Sequence, residues 1–121
     1  MNVKKTLVLG ASEKTHRYSN RAVRMLKEHG HEVIAVGNRK GNVEDTKIQL
    51  DFPLNTDVDT VTLYLNSQRQ SNYEEAILEL LPKRVIFNPG AENQIFMQKL
   101  EEKGIETLEA CTLVMLSIGN Y

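Results

Sequence analysis

The first 39 residues carry a strand, a tight small-residue turn, a helix and a second strand in immediate succession. Val3 to Leu9 reads as a buried strand, with Thr6-Leu7-Val8-Leu9 as its β-like heart. It meets the turn Gly10-Ala11-Ser12, followed by Arg17-Tyr18-Ser19. Residues 18–29 place Ala22, Val23 and Leu26 at helical spacing, and Gly30 is a natural stop. Val33-Ile34-Ala35-Val36 is the second apolar run. A strand–helix–strand unit of this length pairs its two strands in parallel. It also brings backbone N–H groups and a helix N-terminus to one point, which suits a bound phosphate.

The remaining chain keeps alternating between the two periods. Residues 37–57 carry Gly37, Gly41, Pro53 and many polar groups and are the loosest stretch, with room for a short strand at Lys47 to Leu50. Val58 to Leu65 returns to β character. Ser71-Asn72-Tyr73-Glu74 matches a capping box and predicts a helix to about Leu81, with Ala76, Ile77, Leu80 and Leu81 on one face and Pro82 closing it. Arg84 to Phe87 is a further strand, ended by Asn88-Pro89-Gly90. Residues 92–103 predict a helix with Ile95, Phe96 and Leu100 inward, Ile105 to Leu108 a short last strand, and Leu113 to Ile118 a closing helix. Continuous apolar strands belong to sheets covered on both sides. The expectation is an α/β fold: a Rossmann-type, doubly wound, mainly parallel sheet of about five strands with helices on both faces, one domain over residues 1–121.

Bulk properties remove whole classes of partner. A net charge of −1 gives no global field toward nucleic acid or anionic membrane. No apolar run reaches the roughly 18 residues of a membrane span, and the N-terminus lacks the apolar core of a signal peptide. The single cysteine, Cys111, excludes an internal disulfide framework and fits a reducing compartment, so a cytoplasmic location is expected.

Ligands of such sheets bind beyond the C-terminal strand ends. Residues 10–12, 37–40, 66–69 and 88–93 all fall there, so the candidate site draws on four loops. Gly10-Ala11-Ser12 is not the dinucleotide fingerprint, since the two further glycines of G-x-G-x-x-G are absent. Arg17 can clamp a phosphate through two parallel N–H bonds, with Ser12 and Ser19 as hydroxyl donors; alternatively Arg17 is a solvated charge and Ser19 an N-cap. The second strand ends in Asn38-Arg39-Lys40, where an NAD-binding domain carries an acid for the ribose. Basic residues there suit an extra ribose phosphate, as in NADP or coenzyme A, or simply make a charged turn. Asn88-Pro89-Gly90 with Asn93 either presents main-chain groups to a ligand or is an ordinary turn.

Catalytic groups are hard to find. His16, His29 and His31 have no metal-site spacing, although His16 lies near the phosphate turn and is the best of them for polar chemistry. His29 and His31 flank Gly30, where a charged imidazole suits the helix dipole. Cys111 is either a reactive thiol or a buried structural cysteine. Neither a G-x-S-x-G elbow nor a P-loop lysine is present.

The combination Gly10-Ala11-Ser12, Arg17-x-Ser19, Gly30-His31-x-Val33, Val58-Asp59-x-Val61, Pro89-Gly90-x-x-Asn93, Gly104-Ile105 and Cys111 resembles the small CoA-binding domain family. Its members are similar to the N-terminal domain of the succinyl-CoA synthetase α subunit. The resemblance runs from about Lys5 to Leu116, and its specificity lies in the order and spacing of the motifs. It implies a Rossmann-type domain whose strand-end loops hold the ADP part of CoA. On that resemblance Gly10, Ala11 and Ser12 form the first phosphate turn. Arg17, Tyr18 and Ser19 add phosphate or pantetheine contacts, Asn38 and Arg39 lie by the adenosine, and Pro89, Gly90 and Asn93 line the far wall. The chain departs from the pattern at Val36-Gly37-Asn38-Arg39, where many members read Val-Asn-Pro, and at Asn88, where Gln is common. The phosphohistidine, ATP-grasp domains and partner subunit of the synthetase have no counterpart here, so the resemblance implies binding rather than ligation.

Three functions follow as expectations. The first is non-catalytic binding of coenzyme A or an acyl-CoA. The second is an NADP-binding reductase or enzyme subunit, with Arg39 on the 2′-phosphate. The third is an interaction module with a vestigial pocket, in which the apolar segment Leu113-Val114-Met115-Leu116 and Ile118 supports a homodimer.

Overall fold

Thr6-Leu7-Val8-Leu9 is apolar at three consecutive positions, so both faces of a strand here call for cover. In the computed structural model, which describes residues 3–121, it is strand β1 and is wholly buried. The chain continues through α1 (Tyr18–Glu28), β2 (Val33–Val36), β3 (Gly41–Val43), β4 (Thr46–Gln49) and β5 (Thr60–Leu63). Then come α2 (Ser67–Gln70), α3 (Glu74–Leu80), β6 (Arg84–Phe87), α4 (Gln94–Glu102), β7 (Glu106–Glu109) and α5 (Thr112–Ile118). The sheet order is β3-β4-β2-β1-β5-β6-β7. Every pairing is parallel except the hairpin of β3 with β4. The chain winds outward from β1 to β2 and β4, then returns to the other side of β1 as β5. The strand order therefore reverses between β1 and β5, and the crevice of a doubly wound sheet opens at their C-terminal ends.

Alternation along the strands divides the core into two layers. Leu7, Leu9, Val61, Leu63, Val85 and Phe87 face one side, where they meet Ile77 of α3 and Phe96 and Leu100 of α4. Val8, Ala35 and Ile48 face the other side, against Val23 and Leu26 of α1 and Leu116 of α5. The doubly wound arrangement expected from the sequence is present.

Several local expectations are corrected. The sheet has seven strands rather than about five. The tentative segment near Lys47 pairs as β4 beside β2, and Gly41–Val43 adds an antiparallel edge that three residues of mixed polarity do not announce. The capping box at Ser71 does not form. Ser71 closes α2 and its hydroxyl donates to Gln68 O, while Tyr73 stands at the N-cap of α3 without a side-chain bond. The short helix α2 takes residues whose sequence predicts a loop, with Asn66 as its cap. Ser19 is not an N-cap either; it sits buried inside the first turn of α1, and Arg17 holds the cap position. Ile95 is exposed, whereas Phe96 and Leu100 are fully buried, so the inward face of α4 is narrower than its sequence suggests. His31 is not a charged helix-end group. Its Nδ1 accepts the Lys4 N–H at 2.9 Å. Burial first, then the charges of Lys4, His29 and Arg84, hold its pKa below the ordinary 6.5.

Asn88 joins the two layers near the crevice. It is buried, its Nδ2 donates to Thr62 Oγ1 (2.7 Å) and Leu63 O (2.8 Å), and its Oδ1 accepts Thr112 N–H (2.9 Å). Asn88→Ala strands a carbonyl and a helix N–H in the interior. A loss of about 2–4 kcal/mol is expected at unchanged m-value in urea unfolding. A loss below about 1 kcal/mol would show that water replaces the amide.

Candidate functional site

The turn after β1 is shaped by how close the neighbouring strands come. Gly10 N and Ala11 N both donate to Val36 O, each at 2.9 Å, which lays the turn across the end of β2. Gly10 has φ +96°, and a Cβ there would press on the Tyr64 backbone at 3.1 Å. Gly37 is tighter still: a Cβ would lie 2.5 Å from Ala11 O and 3.0 Å from Ile48 Cγ2. These two glycines let the ends of β1, β2 and β5 converge, and a cleft of about 590 Å³ opens above them. That volume is within the range of small-molecule sites.

The β1 loop contributes Gly10, Ala11, Ser12, Glu13, Lys14 and Arg17 to the lining. The β2 end contributes Gly37, Asn38 and Arg39. The segment after β5 contributes Tyr64, Leu65, Arg69, Asn72 and Tyr73. A smaller recess of about 200 Å³ shares Gly10, Ser12, Arg17 and Tyr64 and adds Tyr18 and Ser19. Eight of the residues singled out from the sequence therefore meet: Gly10, Ala11, Ser12, Arg17, Tyr18, Ser19, Asn38 and Arg39.

Pro89, Gly90 and Asn93 line neither space. Their loop is turned inward on its own donors and acceptors. Glu92 accepts the Gly90 N–H with both carboxylate oxygens (3.0 and 3.1 Å), and Asn93 Oδ1 caps α4 through Phe96 N–H at 3.1 Å. Bonds from its own backbone N–H and from Gly90 hold the Glu92 carboxyl below its ordinary pKa. His16 is exposed and outside both linings, and Cys111 is half-buried at the N-cap of α5. Glu13, Lys14, Gly37, Tyr64, Leu65, Arg69, Asn72 and Tyr73 were not singled out as site residues. The loop span 66–69 pointed toward Arg69, but nothing local marks Tyr73, which reaches the cleft from beyond α2.

Four cations, Lys14, Arg17, Arg39 and Arg69, face the cleft against one carboxylate, Glu13. Among the described residues none of the four takes part in an ion pair, while Glu13 accepts Asn42 N–H at 3.2 Å. α1 begins at the same place. No side chain caps it and its first turn holds no acid. An uncapped helix N-terminus leaves N–H groups and a partial positive charge for an anion. α2 and α4, by contrast, are closed by Asn66 and Asn93. Burial raises the Tyr64 pKa above its ordinary value, so that ring is a neutral wall. Phe52 packs on Tyr73 in a tilted arrangement with centroids 6.2 Å apart and backs the wall that Tyr73 lines. The donor set fits a phosphorylated ligand carrying a flat or apolar portion. Among the described residues no group of three or more His, Cys, Asp or Glu side chains is placed to hold a metal ion.

Gly37→Ala tests the closeness of the turn. The new methyl must push the Ala11 carbonyl away, so a loss of about 1–3 kcal/mol is expected. Amide resonances of Gly10 to Ser12 should shift with it. Unchanged stability and unchanged resonances would mean that the turn is not held by this contact.

Comparison with known proteins places the chain further. A family profile described as a CoA binding domain matches residues 4–117. No curated protein matches the chain. A solved structure described only as an uncharacterized protein is 51% identical, covers 100% of both chains and superposes with a TM-score of 0.97. A hypothetical protein from Pyrococcus horikoshii OT3 is 26% identical over 97% of this chain and 84% of its own, with a TM-score of 0.85. The dinucleotide-forming acetyl-coenzyme A synthetase 1 of Ca. Korarchaeum cryptofilum, at 12% identity, shares the fold alone: a TM-score of 0.73 over 89% of this chain and 26% of that one.

Proposed function

The chain belongs to the CoA-binding domain family, and from that premise we propose that its cleft holds coenzyme A or an acyl-CoA by the phosphates, without chemistry of its own. The observation that carries this reading is the cluster of Lys14, Arg17, Arg39 and Arg69 around an uncapped helix N-terminus, with a single acid among them. In this reading the Gly10–Ser12 turn and the start of α1 take the diphosphate, as backbone N–H groups and a helix dipole favour. Arg17 clamps it, and Tyr18 and Ser19 border the recess that receives the pantetheine arm. Asn38 and Arg39 lie beside the phosphorylated ribose. Pro89, Gly90 and Asn93 support the far wall from behind.

Calorimetric titration of ligand-stripped protein with CoA, dephospho-CoA and NADP tests the reading. CoA is expected to bind, and dephospho-CoA to bind more weakly. Arg17→Ala and Arg39→Ala should each cost about tenfold or more in affinity, since hydrogen bonds to charged groups are worth roughly 1.5–3 kcal/mol. Binding of NADP alone would transfer the protein to the reductase reading. No binding by any of the three would leave an interaction module with a vestigial pocket.

Self-association belongs to the same proposal. Val114 and Ile118, four residues apart on α5, are 52% and 67% exposed, while Met115 and Leu116 are buried beneath them. This apolar pair supports a homodimer through α5. Light scattering should give twice the 13.8 kDa chain mass, and Ile118→Lys should return the mass to one chain. A single-chain mass at high concentration would remove the dimer. The half-buried Cys111, without a disulfide partner, supports a cytoplasmic location.

A further inference from the structure

Gln70 is a fully buried polar side chain behind the cleft and lines neither space itself. It is 0% exposed and fully paired. Its Nε2 donates to Leu65 O (2.8 Å) and Ala91 O (2.7 Å), and its Oε1 accepts from Asn93 Nδ2 (2.9 Å). A buried amide is costly unless every group is satisfied, and a satisfied one fixes its surroundings in one arrangement. Here it ties the segment after β5 to the loop after β6. The neighbouring residue, Arg69, is its counterpart on the outside. Its backbone is held by Asn66 Oδ1, which accepts Arg69 N–H at 2.9 Å. Arg69 lines the cleft, and its side chain takes part in no hydrogen bond or ion pair among the described residues.

We infer that Arg69 is a ligand contact on the wall opposite the β1 turn, taking a phosphate group of the bound nucleotide, and that Gln70 and Asn93 are the residues that position it. The inference rests on the CoA reading of the cleft and adds a specificity determinant to it. A free arginine on a floppy loop would lose conformational entropy on binding, whereas one carried by a pinned segment has already lost much of it. The β1 turn alone offers an anion site of one polarity and one place. With Arg39 at the end of β2 and Arg69 after β5, on either side of β1, the site favours ligands that carry phosphate beyond the group held at the β1 turn. Asn93 thus matters to the ligand through Gln70 and not by contact.

The test is a set of CoA titrations of the whole chain at several salt concentrations, with folding checked by circular dichroism and thermal melting. Arg69→Ala should weaken CoA by about tenfold or more and flatten the salt dependence, and Arg69→Lys should recover part of the loss. Asn93→Ala and Gln70→Ala should also weaken binding, but neither should add to the loss in an Arg69→Ala background. That non-additivity separates positioning from a general structural effect. If Gln70→Ala fails to fold, Asn93→Ala carries the cycle, because Asn93 is only half-buried. Wild-type binding with unchanged affinity in Arg69→Ala overturns the Arg69 contact alone. A loss in Asn93→Ala that is equal in both backgrounds, or absent in both, overturns the positioning role. Failure of the wild-type chain to bind CoA overturns the reading of the cleft and this inference with it.

Discussion

The ligand-facing end of the sheet depends on one backbone contact, the seating of the β1 turn on the end of β2. The Val36 carbonyl accepts N–H groups from both Gly10 and Ala11, and Gly37 leaves no room for a side chain beneath Ala11 O. Tyr64 N donates to Leu9 O from the other side, and Gly37 N to Gln49 O. The four neighbouring strands β4, β2, β1 and β5 thus end in register, and their loops rise from a common floor. A parallel sheet that reversed its order elsewhere would spread Arg17, Arg39 and Arg69 over separate edges. The reversal between β1 and β5 puts them around one cleft.

What happens above that floor is decided by which helix ends are closed. α1 starts without a side-chain cap at Arg17, which lines the cleft, so its first-turn donors have no side-chain acceptor. α2 and α4 start on asparagines whose side chains satisfy one donor each, and Glu92 occupies the Gly90 N–H. α3 also starts without a side-chain cap, but its first turn carries Glu74 and Glu75, so of these two ends the one beside β1 is without acids that repel an anion. The far loop, 88–93, is thus closed on its own groups, while the first turn of α1 keeps its donors free of side-chain acceptors.

The parts of this arrangement that the sequence disclosed are those governed by short-range rules. Strands β1 and β2, the turn at Gly10 and helix α1 follow from apolar runs, a small-residue turn and helical spacing, and these also deliver Ser12, Arg17 and Arg39 to the cleft. The hairpin of β3 with β4 escaped because its pairing draws on β2 across the chain rather than on the alternation of its own few residues. The apparent capping box at Ser71 failed for a similar reason. Gln70, buried among Leu65, Ala91 and Asn93, closes α2 just before it and takes Ser71 as a terminal residue. Tertiary burial of one amide outweighed a local signal worth about 1 kcal/mol. Arg69, Asn72 and Tyr73 reach the cleft only because of that turn, and no pattern within those residues announces it.

Charge explains why the loops are tied so firmly. The chain is nearly neutral, with a net charge of −1, yet four cations and one acid share a single cleft. Like charges held that near repel and would swell the loops that carry them. The first and third of the three cation-bearing segments are pinned from behind by hydrogen bonds. Asn20 Nδ2 holds Ser12 O at 2.9 Å and Arg24 holds Thr15 O at 2.9 Å under the first loop. Gln70 holds the third. Between the first loop and β3, Glu13 packs on Gly41 and accepts Asn42 N–H, so the one acid is used as a tether at the rim. Four cations against one tethered acid leave the cleft positive.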